Sequence, residues 1–211
     1  MNIRFLVIEG NIGAGKTSLV CKMAEDLSAQ TVLERFADNP FLPAFYENPE
    51  RFAFPLEMSF LADRYNQLKE ELMQYNLFNE LIISDYYFNK SLIFAQNTLQ
   101  NDEYHLYRQL FDIIHSKLPK PDLYVYLHRN IDQLIFQIKK RGREYEQQIS
   151  PDYLKNIETA YFNFFKQQNE YPCIIIDIAN TDFLKDNYVY ESIKNIIFNN
   201  KFSVGINRIA L

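Results

Sequence analysis

The stretch GNIGAGKTS at residues 10–18 decides the fold. The pattern GxxxxGK[ST] is met by a set of four residues: Gly10, Gly15, Lys16 and Thr17. An apolar run of strand length precedes the pattern and a helical pattern follows it, as the mechanism requires. Glycines allow backbone N–H groups to surround phosphates, the lysine reaches the outer phosphates, and the threonine hydroxyl is a ligand for Mg²⁺. The sequence therefore predicts a phosphate-binding loop for a nucleoside triphosphate.

Apolar runs of strand length recur along the chain, at 3–9, 31–36, 81–85, 123–129 and 173–178. Long helical patterns lie between and after them, at 53–76, 88–117, 131–141, 151–169 and 187–199. Strands that are apolar on both faces suit a parallel sheet covered by helices, and parallel strands need crossovers of this size. We predict one α/β domain over 1–211, with a central parallel sheet of about five strands flanked by helices. Residues 41–55 are predicted to form a loop and a helix start, and 203–211 give no interpretable pattern.

The composition excludes several classes of protein. The chain has 22 basic and 27 acidic residues, a net charge of −5, so no global positive field favours binding to nucleic acid or an anionic bilayer. The apolar runs stay well below the roughly 18 residues that span a membrane, and the N-terminus shows no targeting pattern. Cys21 and Cys173 lack metal-site spacing and are predicted to be buried free thiols, as suits a reducing compartment. We expect a cytoplasmic protein.

An array of further motifs resembles the deoxynucleoside kinase family over about residues 3–185: GNIGAGKTS, LERF, DNPFLPAFYENPERFAFPLEMSFLADRY, SDYY, and KPDLYVYLHR followed by KKRGREYE. The likeness looks closest to bacterial deoxyguanosine kinases. It implies a P-loop kinase with ATP and Mg²⁺, a small deoxynucleoside acceptor and a homodimer. The ATP site it implies comprises Gly10, Asn11, Ile12, Gly13, Ala14, Gly15, Lys16, Thr17, Ser18 and, after the last strand, Asp182 and Phe183.

The reacting groups are predicted at the carboxyl ends of strands, the edge of an open α/β sheet that faces the ligand. Glu34 follows the second strand and matches the family's general base. Asp85 ends the third strand and is predicted to hold Mg²⁺ beside Thr17. A basic lid at about 137–150 presents Arg141 and Arg143, which match the residues that stabilise the transferring phosphoryl group.

The remaining candidates are predicted to bind the nucleoside. Tyr46 and Glu146 resemble the pair that contacts the sugar 3′-hydroxyl, and Phe94 resembles the aromatic side chain that stacks on the base. Glu57 and Arg64 are two turns apart on one helix face, within reach of each other or of a shared ligand. Most of the family has Gln where this chain has Glu57. A carboxylate only accepts hydrogen bonds, which suits the two adjacent donors of guanine, while Arg64 contacts O6 and N7 and neutralises Glu57.

The sequence also departs from the family at the residue after Asp85, which is Tyr86 instead of the usual Arg. Lys90, one helical turn further on, is the candidate substitute. The predicted activity is transfer of the ATP γ-phosphoryl group to the 5′-hydroxyl of a purine deoxynucleoside, with deoxyguanosine favoured and deoxyadenosine possible. Two alternatives stay open at this point: a thymidylate-type nucleotide kinase, and a non-catalytic nucleotide-binding protein with this fold.

Overall fold

The computed structural model describes residues 3–36, 39–74, 81–178 and 181–210. Within these ranges the strands are β1 Phe5–Gly10, β2 Gln30–Val32, β3 Ile82–Ser84, β4 Leu123–His128, β5 Pro172–Asp177 and β6 Gly205–Ala210. The α-helices there are α1 Lys16–Leu27, α2 Leu42–Glu47, α3 Pro49–Gln74, α4 Asn89–Thr98, α5 Asn101–His115, α6 Ile131–Arg141, α7 Pro151–Gln167 and α8 Asn187–Asn199. The strands form one parallel sheet in the order β2-β3-β1-β4-β5-β6, which confirms the predicted α/β class.

The sheet has a hydrophobic layer on each face. Along β4, Tyr124 and Tyr126 point to the layer that includes α3, α4, α5 and α7. Val125 and Leu127 point to the layer that includes α1, α6 and α8. Successive side chains of a strand alternate between faces. Because both faces are covered, the central strands need apolar residues at every position, and this is why their sequences are continuous apolar runs.

The sheet has a sixth strand that the sequence did not reveal. β6 pairs in parallel with β5, with Cys173 opposite Ile206 and Ile175 opposite Arg208. It lies at the edge of the sheet, and Ile206 is 40% exposed. An edge strand that is partly open to solvent does not need a continuous apolar run, so Asn207 and Arg208 interrupt the pattern that identified the other strands.

Two predicted helical segments differ from the structure. The pattern at 88–117 divides into α4 and α5 at Leu99, which is extended. A capping box formed by Gln100 and Glu103 begins α5 there. The predicted loop before 53 contains α2, and α3 already begins at Pro49, with Pro55 inside it.

Two smaller predictions can be compared with the described residues. Both cysteines are free, but only Cys173 is buried, whereas Cys21 is exposed on α1, so its predicted burial was wrong. Among the helices of the described ranges, none has the length and apolar character needed to cross a bilayer.

Candidate active site

The phosphate-binding loop joins β1 to α1 at the carboxyl edge of the sheet. Gly13 has a φ of +84°, and a Cβ there would lie 2.8 Å from the Leu134 carbonyl oxygen, so a side chain is excluded both by conformation and by space. Lys16 Nζ donates to the carbonyl oxygens of Gly10, at 2.9 Å, and Asn11, at 3.1 Å. Burial lowers the pKa of Lys16 to about 8, and the neighbouring Lys90 contributes to that shift. The loop thus holds a partly desolvated ammonium group over its own backbone, where an anionic phosphate would stabilise its charge.

The segment after β5 packs against this loop. Phe183 is buried, and its ring lies 3.1 Å from the position of a Cβ on Gly15. Its carbonyl oxygen accepts from Lys22 Nζ at 3.1 Å, while Asp182 Oδ1 accepts the Leu184 N–H. The side chains of Asp182 and Phe183 therefore take part in the local fold, and the binding of ATP by this segment stays a prediction. Asn180, which begins the segment NTDF at 180–183, lies outside the described residues.

A residue that sequence reasoning missed connects these two segments. Arg129, which follows β4, donates from Nε to the Ala14 carbonyl oxygen at 3.3 Å and from Nη2 to the Thr181 carbonyl oxygen at 3.0 Å. Its position just beyond the carboxyl end of a central strand was the available signal. Arg129 fixes the distance between the phosphate loop and the segment after β5.

Thr17 and Asp85 lie next to each other, as the sequence predicted for a metal site. The Thr17 hydroxyl donates to Asp85 Oδ2 at 2.5 Å. The other oxygen, Oδ1, accepts the backbone N–H of Glu34 at 2.8 Å. This contact follows from the sheet, because Val32 is in register with Ser84 and both chains continue past the same edge. Two hard oxygen donors beside the phosphate loop fit Mg²⁺.

Glu34 is held between two cations. Arg64 donates to Glu34 Oε1 from Nε at 2.8 Å and approaches it with Nη2 at 2.7 Å, while Lys90 Nζ approaches Oε2 at 2.5 Å. Burial would raise the pKa of Glu34, but the charges and hydrogen bonds of Lys90 and Arg64 outweigh burial and lower it to about 2. The carboxylate is thus ionised throughout the neutral range. Lys90, the candidate substitute for the family's arginine, is thus an ion-pair partner of Glu34, and its role as that substitute stays a prediction.

Tyr86 itself lies away from this cluster. Its ring is fully buried, and its hydroxyl donates to Gln67 Oε1 at 3.0 Å. Gln67 in turn donates to the Leu33 carbonyl oxygen at 2.8 Å. Tyr86 therefore supports the packing of α3 against the strand ends, whereas Lys90 forms an ion pair with Glu34.

Within the predicted lid, α6 ends at Arg141 and is followed by the left-handed Gly142. Arg141 contacts Glu146 Oε2 through Nε and Nη2, and Arg143 Nη1 donates to Glu146 Oε1 at 3.1 Å. The Arg143 guanidinium also lies 4.3 Å from the centre of the Phe36 ring. The arginine side chains are about one third exposed, at 36% and 33%, whereas Glu146 is 6% exposed. Glu146 is therefore the buried member of this cluster, and the two arginines are its partly exposed members.

A cavity extends from the phosphate loop into the protein, and its inner end is formed by α2, α3, α4 and α7. Tyr46 stacks on Tyr145, with ring centroids 5.9 Å apart, and its phenol pKa is raised by burial and by Glu146. Glu57 Oε1 accepts from the Thr98 hydroxyl at 2.8 Å, whereas Oε2 is buried and has no hydrogen-bond partner among the described residues. Burial raises the pKa of Glu57 to about 7, against the opposing effect of Arg64.

Arg64 is paired differently from the sequence expectation. Its guanidinium bonds Glu34 and, through Nη1, the Ser91 hydroxyl at 2.9 Å; within the described residues it forms no ion pair with Glu57. The predicted neutralisation of Glu57 by Arg64 is therefore absent from this arrangement. The reason is that Glu34 reaches the guanidinium directly from the neighbouring strand end.

A single cavity brings most of the predicted side chains together. The predicted residues that line it are Ile12, Gly13, Lys16, Thr17, Glu34, Tyr46, Glu57, Arg64, Asp85, Phe94, Arg141, Arg143 and Glu146. Sequence reasoning missed its apolar and aromatic lining, which comprises Phe36, Leu42, Phe45, Leu56, Phe60 and Tyr153. The cavity thus has a charged end at the phosphate loop and an apolar end, where Glu57 Oε2 has no hydrogen-bond partner among the residues that the structure describes. The fold and this site define a P-loop kinase whose acceptor is a small molecule.

Comparison with known proteins gives the family. The family model described as "Deoxynucleoside kinase" matches residues 6–202. The deoxyguanosine kinase of Bacillus subtilis (strain 168) is 33% identical over 90% of this chain and 93% of its own length, and the deoxyadenosine/deoxycytidine kinase of the same organism is 30% identical over 91% and 89%. A structure of deoxyadenosine kinase from M. mycoides with bound dATP superposes with a TM-score of 0.76 at 25% identity, covering 92% of this chain and 98% of that one.

The chain belongs to the deoxynucleoside kinase family, and it is a kinase that phosphorylates deoxynucleosides. This confirms the resemblance and the enzyme class predicted from the sequence. The relatives include both deoxyguanosine and deoxyadenosine kinases, so membership alone leaves the purine preference open.

Proposed function

We propose that this enzyme transfers the γ-phosphoryl group of ATP to the 5′-hydroxyl of a purine deoxynucleoside, with deoxyguanosine preferred over deoxyadenosine. The observation on which this rests is the free oxygen of Glu57, which lies in the same cavity as Glu34 and the phosphate loop. In that cavity the base lies at the apolar end and the 5′-hydroxyl lies towards Glu34.

Glu34 accepts the proton of the attacking hydroxyl. A carboxylate whose pKa is about 2 is a weak base, so it orients the hydroxyl first and takes its proton late in the reaction. This order suits phosphoryl transfer, because a loose transition state needs little deprotonation of the nucleophile before the new bond forms. Because Glu34 stays ionised, its carboxylate can accept the proton of the hydroxyl throughout the neutral pH range.

Positive groups stabilise the transferring phosphoryl group. Lys16 binds the outer phosphates from the loop, and Arg141 and Arg143 approach them from the lid. Thr17 Oγ1 and Asp85 Oδ2 would hold Mg²⁺, which neutralises phosphate charge when bound. The backbone next to Phe183 would contact the adenine of ATP.

Tyr46 and Glu146 bind the sugar 3′-hydroxyl, Phe94 stacks on the base, and Glu57 selects the base. An ionised Glu57 accepts from both N1–H and the 2-amino group of guanine, whereas adenine offers one donor beside an acceptor. Arg64 retains donors that Glu34 and Ser91 do not use, and these can reach the base. The 33% identical deoxyguanosine kinase supports the same preference.

The test is a coupled assay of ADP release with the four deoxynucleosides and dTMP, with and without Mg²⁺. We expect the highest kcat/KM for deoxyguanosine, then deoxyadenosine, with dTMP inactive and all activity dependent on the metal. A higher kcat/KM for a pyrimidine nucleoside would contradict the proposed purine preference. Mass spectrometry of the 5′-monophosphate confirms the site of transfer.

We also propose that the enzyme is a cytoplasmic homodimer. Leu106 and Ile113 lie two turns apart on α5 and are 51% and 61% exposed, which supports an apolar face for a second copy. Light scattering after size exclusion should give twice the chain mass, and the double variant Leu106→Glu/Ile113→Glu should give one chain mass. A monomeric wild type at micromolar concentration would refute the dimer.

A further inference from the structure

The inner end of the cavity contains a carboxyl group that can exist in two protonation states. Glu57 is 2% exposed and lies on α3, with Oε1 bound to Thr98 and Oε2 without a hydrogen-bond partner in the described part of the chain. Arg64, a cation on the same helix that faces the same cavity, is bonded to Glu34 and Ser91. Without a direct ion pair, a buried carboxylate is destabilised relative to its neutral acid.

The partner of Glu57 suits both states. The Thr98 hydroxyl lies 2.8 Å from Glu57 Oε1 and 3.1 Å from the Phe94 carbonyl oxygen, and it has one proton for two acceptors. When Glu57 is ionised, Thr98 donates to it. When Glu57 is neutral with its proton on Oε2, Oε1 is a carbonyl oxygen and still accepts from Thr98. Neither state leaves Oε1 without a partner.

We propose, on the basis of the proposed function above, that the proton on Glu57 decides which base the enzyme accepts. Ionised Glu57 presents two acceptors to the base edge, which match the N1–H and 2-amino donors of guanine. Neutral Glu57 presents one donor and one acceptor, as an amide does, and these match adenine or cytosine. The same side chain thus provides a carboxylate for deoxyguanosine and an acid that resembles glutamine for deoxyadenosine and deoxycytidine.

The groups around Glu57 place this equilibrium in the neutral range. Burial is the main cause of its raised pKa of about 7, with Arg64, the Thr98 hydrogen bond and Lys90 opposing it and Glu34 adding to it. Titratable or charged groups face this region from α2, the end of β2, α3, α4, α5, the lid and α7: Tyr46, Glu34, Arg64, Lys90, Tyr107, Arg141, Arg143, Glu146 and Tyr153. Burial holds the phenol pKa values of Tyr46, Tyr107 and Tyr153 above their usual range, so these groups stay neutral.

The experiment measures the ratio of kcat/KM for deoxyguanosine to that for deoxyadenosine between pH 6 and pH 8. If one substrate needs the ionised form and the other the neutral form, the ratio rises about tenfold for each pH unit. Ionisations shared by both reactions, such as those of Lys16 and Glu34, cancel in the ratio. A constant ratio in the wild type, with both nucleosides phosphorylated, overturns this inference and leaves the proposed function intact. If neither nucleoside is phosphorylated at any pH, both proposals fail.

Glu57→Gln is the matched control, since the amide has a fixed donor and acceptor. Its ratio should be low, like that of the wild type at acid pH, and should not change with pH. A pH slope that persists in Glu57→Gln assigns the proton to another group and overturns the inference. Thr98→Val removes a hydrogen-bond donor to the charged form of Glu57, so the ratio should fall several-fold at each pH while its pH slope remains. Thr98→Ser keeps the hydroxyl and should restore the wild-type ratio.

Proton exchange on binding gives a readout that needs no turnover. In calorimetry near pH 7 with buffers of different ionisation enthalpy, deoxyguanosine should release about half a proton and deoxyadenosine should take up about half a proton, because Glu57 is about half protonated there. Exchange of the same sign for both nucleosides contradicts the inference.

Discussion

Glu34→Gln tests the centre of the proposed mechanism. The change replaces a carboxylate that bonds Arg64 and Lys90, with side-chain exposures of 11%, 4% and 7% for the three residues. The amide retains one acceptor oxygen but removes the charge. Two buried cations then repel each other across a neutral group, so both stability and turnover should fall.

The size of the stability loss follows from the pKa of Glu34. Burial opposes the shift, but Lys90 and Arg64 lower the pKa from its ordinary value of 4.5 to about 2, which corresponds to roughly 3 kcal/mol of folding free energy. Breaking a buried ion pair costs about 3–5 kcal/mol by direct measurement in other proteins. Because the folded-state pKa is lowered, this contribution is complete above about pH 4.5 and is lost as the pH falls towards 2. At neutral pH the variant loses all of it, yet a domain with about 5–15 kcal/mol of stability still folds.

Turnover should fall by roughly 10² or more in the folded enzyme, the usual scale for removal of a positioned base. Urea unfolding gives the stability, and ADP release at saturating ATP and deoxynucleoside gives kcat. Lys90→Met is the control, because it disrupts the same ion pair and leaves the carboxylate in place. A kcat of Glu34→Gln near the wild-type value, or equal to that of Lys90→Met, would refute the role of Glu34 as base.

Further variants separate the remaining roles. Arg143→Ala should lower kcat more than it raises the nucleoside KM, because its partner is charge in the transition state; unchanged kinetics with lower stability would show a structural role only. Lys90→Met should raise the pKa of Glu34 towards 4.5, so the acid limb of kcat/KM should move to higher pH. Tyr86→Phe loses the hydrogen bond to Gln67 and should cost about 1 kcal/mol in urea unfolding, with kcat unchanged. Asp85→Asn should raise the Mg²⁺ concentration for half-maximal activity about tenfold or more, and an unchanged value would remove Asp85 from the metal site.

The sequence predicted those parts of the fold that are set by local pattern. Central strands are buried on both faces and appear as apolar runs, so the sequence predicted β1, β3, β4 and β5. The carboxyl ends of β2 and β3 bring Glu34 and Asp85 together. The edge strand β6 does not need an apolar residue at every position, so the sequence pattern did not reveal it. The apolar end of the cavity was also unpredictable. Tyr153 lies on α7, far in sequence from the apolar and aromatic lining residues between 36 and 60, and it is one of 15 tyrosines.

The spacing of charged residues along the chain did not predict which of them form ion pairs. The pairing that the structure shows explains why the pKa of Glu57 is raised. Residues seven apart on a helix share a face, but they are separated by about 10 Å along its axis, more than an ion pair spans without both side chains bending towards each other. Glu34 approaches Arg64 from the end of β2 and lies within 2.7 Å of it, so Arg64 pairs with the nearer carboxylate. Glu57 is then buried and forms no ion pair with any described residue, and its pKa rises to about 7 instead of falling. Among the described residues Glu57 lacks the predicted ion pair with Arg64, and this is what allows its carboxyl group to take up a proton in the neutral range.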